Sequence, residues 1–104
     1  MDSTVAPSNN RIGVLGVFVR EPGSIPRVNR ILGDFAPLIR ARLGLPQIPS
    51  TPPLNVIALI YSGTPDQLGA LSGRLGQLPG VEAKSVLSRV AVPAAMEESH
   101  APGD

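Results

Sequence analysis

The clearest periodicity in the chain runs from Thr64 to Val81, TPDQLGALSGRLGQLPGV. Leu68, Leu71, Leu75 and Leu78 recur at steps of three and four, which places them on one helical face. Thr64 can cap this helix, Pro65 suits its first position and Gln67 completes a capping box. Pro79-Gly80 ends it, because proline cannot continue a helix and glycine accepts a left-handed turn. A second stripe, Ile25, Val28, Ile31, Leu32 and Phe35, predicts another helix. Ser24 can cap it, Pro26 is tolerated in its first turn, and Arg27 and Arg30 fall on the solvent side.

Strand patterns frame the two helices. In Arg11–Val19, Ile12, Val14, Gly16 and Phe18 point one way and Gly13, Leu15, Val17 and Val19 the other, so both faces are apolar or small. Pro37–Leu43 alternates Leu38, Arg40 and Arg42 with Ile39, Ala41 and Leu43. Its arginine pair reads first as charge that keeps a strand face soluble, and second as a place for an anion. Gly44–Pro53 is rich in proline and predicts a stiff hairpin loop. Leu54–Ser62 is apolar on both faces and predicts a central strand beside the first. Val81–Arg89 sets Val81, Ala83, Ser85 and Leu87 against Glu82, Lys84, Val86 and Ser88, the pattern of a half-exposed edge strand.

The order βαββαβ predicts an α+β, ferredoxin-like domain: a four-stranded antiparallel sheet with both helices on one face. The domain spans 11–89, and the aperiodic segments 1–10 and 90–104 are expected to be disordered tails. Two helices cover one sheet face, yet the first and third strands are apolar on both. The open face therefore predicts a homo-oligomer, a dimer or a dimer of dimers. Gly69, Gly73 and Gly76 share one side of the second helix at a cost of roughly 1 kcal/mol each against alanine. That predicts close backbone packing, within the fold or against a partner.

Composition narrows the function. Aromatics are 3 % of the 104 residues, so the core must be aliphatic. Nine basic and eight acidic residues leave a net charge of +1, which gives no electrostatic footprint for nucleic acid or an anionic membrane. The absence of cysteine excludes disulfides, thiolate zinc sites and cysteine-ligated clusters. Apolar runs are shorter than a membrane span, and MDSTVAPSNN lacks the basic and apolar regions of a secretory signal, so a cytoplasmic location is expected. The single histidine, His100, lies with Glu97 and Glu98 in the C-terminal tail, and Ser72 has no histidine in the ordered region to activate it. GALSGRLG lacks the Lys-Ser/Thr ending of a phosphate loop. These features predict a protein that is not an enzyme and carries no cofactor or metal.

GALSGRLGQLPGV followed by EAKSVLSR resembles the C-terminal half of the iron-only hydrogenase system regulators, a family of the ACT-like group built as βαββαβ on a ferredoxin-like sheet. With looser matches upstream, the resemblance covers roughly Arg11 to Arg89. REPGSIPRVNRIL also resembles the ACT-domain opening, where an Asp or Asn, any residue, then Pro-Gly precede a helix. Pro22 and Gly23 match, and Arg20 stands where the acid or amide is expected. ACT domains commonly bind amino acids at this turn, near a subunit interface. The resemblance thus implies a ligand site at Arg20, Pro22, Gly23 and Ser24 and a small-molecule effector such as an amino acid. The residues alone also allow Gly23 to be a plain turn glycine. The resulting expectation is a non-catalytic regulatory or small-molecule-sensing module. Its alternatives are a structural or adaptor subunit that binds another protein through the sheet face, and a small enzyme with an oligomer-interface cavity.

Overall fold

The structure, a computed structural model, describes residues 9–49, 53–89 and 91. Most of the expected tails, with Glu97, Glu98 and His100, lie outside the described residues. Six main elements follow in chain order: β1 (Arg11–Val19), α1 (Ile25–Asp34), β2 (Ile39–Ile48), β3 (Leu54–Gly63), α2 (Pro65–Gly76) and β4 (Val81–Leu87). Short 3-10 turns at Pro22–Ser24 and Ala36–Leu38 flank α1. The strands form one sheet in the order β2-β3-β1-β4, with antiparallel neighbours throughout. Each helix thus links two parallel strands that have a third between them. This is the ferredoxin-like α+β fold.

β1 and β3 pair without interruption from Arg11↔Gly63 to Val19↔Asn55, which fixes the two faces of the sheet. Gly13, Leu15, Val17 and Val19 face the helices and are buried. Leu59 and Tyr61 of β3 join them against Val28, Ile31 and Leu32 of α1 and Leu68, Leu71 and Leu75 of α2. Burying each such aliphatic side chain stabilises the fold by about 1.5–3 kcal/mol. Gly13 is required by packing: a Cβ there would run into the ring of its cross-strand neighbour Tyr61 and stand 2.6 Å from Leu87 Cδ2. The Tyr61 hydroxyl is buried without a well-formed hydrogen bond. Burial pushes its pKa above the ordinary 10, and the Ser85 hydroxyl beside it offsets part of that rise.

α2 begins as its sequence predicts. The Gln67 N–H donates to Thr64 Oγ1 at 3.2 Å and the Thr64 N–H donates to Gln67 Oε1 at 2.9 Å. α1 does not: Ser24 precedes it, but its side chain makes no cap. Its Oγ donates instead to Pro79 O at 2.6 Å, joining the start of α1 to the turn before β4. Arg74 is more than a solvated cation. It lies 3.2 Å from Asp34 Oδ2 and its guanidinium carbon 5.4 Å from the Phe35 ring centre, so it ties α2 to the end of α1. Both partners are about half exposed, and such a contact contributes on the order of 1 kcal/mol or less.

β2 departs most from its sequence reading. It starts at Ile39 and runs on through Pro46 to Ile48, taking in half of the stretch expected to be loop. Proline is tolerated because β2 is an edge strand. A shift of register between Ile39 and Ala41 puts Arg40 in a bulge. Ile39 then packs on the core, whereas Ala41 and Leu43 pair with Ile60 and Ala58 on the opposite face. The expected apolar face of Ile39, Ala41 and Leu43 is thereby divided between the two sides of the sheet. The glycine stripe on α2 is a second difference. A Cβ on Gly69, Gly73 or Gly76 would meet nothing within 4 Å, so these glycines serve no close packing among the described residues.

Candidate functional site

The open face of the sheet follows from the register. Val14 pairs with Ile60 on one side and Val86 on the other; Phe18 pairs with Val56 and Glu82. Beyond the bulge, Leu43 and Leu45 extend the row opposite Ala58 and Val56. Among the described residues no helix covers this side. Val14 is 52 % exposed, Ile60 44 %, Leu45 59 %, Val86 73 % and Leu43 74 %. Lys84 and Glu82, 3.6 Å apart on β4, form a charged margin. An apolar centre with a polar margin is the composition of an association surface. Leu45 escaped the sequence reading because Pro46 follows it. The Leu43/Leu45 alternation continuing past Arg42 was the signal for it.

The four residues expected to hold a ligand occupy the turn between β1 and α1. Arg20, Pro22 and Gly23 are exposed and Ser24 is buried. The turn is held against the α2–β4 connection: the Arg20 N–H donates to Gly80 O at 2.8 Å, and Ser24 Oγ is committed to Pro79 O. Gly80 has a φ of 69°, and a Cβ on it would stand 2.5 Å from Glu21 Cβ and 2.9 Å from Glu21 N. The two turns therefore touch at the backbone. Arg20 and Glu21 bring opposite charges to this corner, and a Cβ on Gly23 would stand 3.5 Å from Glu21 Oε2.

A separate groove of about 280 Å³ opens on the helix side, between α1 and the paired ends of β2 and β3. Val19, Ile25, Val28 and Ile57 form its apolar walls, and Gly44 leaves its floor without a side chain. Its polar side chains are Asn29, Arg42 and Asn55. Arg42 Nη2 donates to Asn29 Oδ1 at 2.9 Å. The Gln47 N–H donates to Asn55 Oδ1 at 2.6 Å, beside the left-handed Gln47 (φ 50°) and the register shift that ends β2. Sequence reasoning pointed to Arg42 as an anion ligand only as the twin of Arg40. The bulge at Arg40 breaks that pairing, and Arg42 is hydrogen-bonded to Asn29 instead.

Comparison with known proteins gives the setting. Residues 11–85 match the model of the TM1266-like family, whose description, iron-only hydrogenase system regulator, is itself an inferred role. The solved structure of the uncharacterized protein TM1266 from Thermotoga maritima is similar at 32 % identity. It covers 77 % of this chain and 99 % of that one, with a TM-score of 0.70. The C-terminal domain of the MgtC protein from Mycobacterium tuberculosis is similar at 18 % identity, over 85 % of this chain and 98 % of that one, with a TM-score of 0.58. A homoserine dehydrogenase from Thiobacillus denitrificans matches at 20 % identity, over 78 % of this chain and 17 % of that one, with a TM-score of 0.51. These last two likenesses concern the fold alone. No curated protein matches the sequence. With its family model running from the start of β1 into β4 and a relative matched almost end to end, the chain belongs to the TM1266-like family, whose inferred role is that of an iron-only hydrogenase system regulator.

Proposed function

We propose that the protein is a non-catalytic regulatory module that works as a homo-oligomer joined through the open face of its sheet. The family's description supports the regulatory part. The observation that carries the assembly is the apolar row Val14, Ile60, Val86, Leu43 and Leu45, every member of it 44 % exposed or more in the isolated protomer. A soluble chain seldom leaves so continuous an apolar surface bare. A second copy has the same need to cover it, and a twofold arrangement satisfies both at once. The effector in this reading is a small molecule such as an amino acid, held at the Arg20–Ser24 turn and acting by favouring one assembly over another.

Sedimentation velocity of the wild type, Leu43→Glu and Val86→Glu tests this directly. The wild type is expected to sediment as an oligomer at micromolar concentration, and both variants as folded monomers. Val17→Glu, which places a charge in the buried layer under the helices, is expected to unfold instead. A wild-type monomer ends the homo-oligomer and leaves the face to a different protein, the adaptor reading. Amino-acid titrations that never move the Gly23 amide would remove the effector site while leaving the assembly untouched.

A further inference from the structure

The helix-side groove has a chemical sign that the net charge of the chain conceals. Among the described residues three polar side chains line it: two asparagines whose oxygens each already accept a hydrogen bond, and an arginine that has no acceptor. Asn29 Oδ1 accepts from Arg42, and Asn55 Oδ1 accepts from the Gln47 backbone. These bonds also fix both amides: with the oxygen engaged, each Nδ2 is left as a donor. Arg42 has only donors. Among the described residues no Asp or Glu lines the groove. The polar side chains therefore present mainly N–H groups, and the other side chains of the lining are aliphatic.

We propose that this groove binds a small amphipathic monocarboxylate, its apolar body against Val19, Val28 and Ile57 and its carboxylate on Arg42 and Asn55. One guanidinium matches one negative charge, and a planar carboxylate suits its fork. A phosphate dianion would need further donors or a second cation. The volume, about 280 Å³ and just below the roughly 300–1,000 Å³ typical of ligand pockets, sets the size of the apolar body. The site lies within one protomer, so it does not rest on the proposed assembly, and it is distinct from the turn at Gly23.

The test is an amide chemical-shift titration of the full chain with hexanoate, and with hexanamide as the neutral control. The expected result is saturable shifts confined to the neighbours of Val19, Arg42, Gly44 and Ile57, with a Kd tighter than about 1 mM. Hexanamide and Arg42→Gln each lose a charge-assisted bond and are expected to weaken binding about tenfold or more. Gly44→Leu is expected to abolish it, since a side chain there enters open groove and meets no atom within 4 Å at its Cβ. Val86→Glu is expected to bind hexanoate as the wild type does, which separates this site from the assembly. Equal binding of hexanamide, unsaturated shifts, or shifts centred on Arg20–Ser24 or on the open face would each overturn the proposal. Should Gly44→Leu fail to fold, Arg42→Gln and the amide control still decide.

Discussion

Gly80→Ala concentrates several features of the fold in one substitution. Gly80 sits at φ 69°, where an L side chain costs about 1 kcal/mol or more. Its missing Cβ faces the backbone of Glu21, at 2.9 Å from the amide nitrogen and 3.3 Å from Cα. Backbone cannot rotate out of the way as a flexible side chain can, so overpacking adds about 1–3 kcal/mol. The expected loss is about 2–4 kcal/mol, a large part of a small domain's stability. At about 4–8 °C per kcal/mol for a domain of this size, the melting temperature falls by at least about 8 °C. Urea unfolding followed by far-UV circular dichroism reads this without tryptophan, which the chain lacks. The control is Gly44→Ala, whose Cβ meets nothing within 4 Å. A Gly80→Ala shift within about 0.5 kcal/mol, the range of ordinary surface changes, would refute the contact between the two turns.

Leu71→Ala or Leu75→Ala, each removing a side chain with no exposed surface, is expected to cost about 2–5 kcal/mol in the same assay. Gly69→Ala and Gly73→Ala are each expected to stabilise by about 0.5–1 kcal/mol, because both glycines lie in α2 facing open space. A loss of stability, or a change in sedimentation, would show that this helix side is covered. Burial holds the Tyr61 hydroxyl protonated in the folded state. The folded chain then binds that proton more tightly than the unfolded chain, so its stability is intact below pH 10 and declines as the pH rises through 10 toward the raised value. Tyr61→Phe is expected to flatten that alkaline decline in urea midpoints and, by removing a buried hydroxyl without a well-formed hydrogen bond, to cost little or nothing at neutral pH.

Elements whose signals are local were legible in the chain. α2 was marked at its start by Thr64, Pro65 and Gln67, and the spacing of Leu68, Leu71 and Leu75 gave its buried face, but the helix ends at Gly76, which leaves Leu78 and Pro79-Gly80 in the turn beyond it. β1 and β3 were marked by length and by apolar character on both sides, which also placed them at the centre of the sheet. The differences have non-local causes. Ser24 stood in a capping position, but Pro79 O, 55 residues away, took its hydroxyl. β2 continued through Pro46 because an edge strand leaves that nitrogen unneeded. The bulge at Arg40 reversed the faces of the strand beyond it, and a one-residue slip of this kind leaves no trace in alternation alone. The open face was legible in outline from β1 and β3, but Leu43 and Leu45 joined it through that slip. The groove was not legible, since it arises where α1 stops short of covering Arg42 and Gly44.

The claim that the open sheet face joins copies of this chain is tested most directly by intermolecular NOEs in a mixture of labelled and unlabelled protein. Methyl groups on that face, those of Val14, Ile60, Val86 and Leu43, are expected to show cross-peaks between molecules, while the buried methyls of Val17, Leu71 and Leu75 show none. An empty filtered spectrum at concentrations where the protein sediments as an oligomer, or cross-peaks confined to the helix side, would contradict the account.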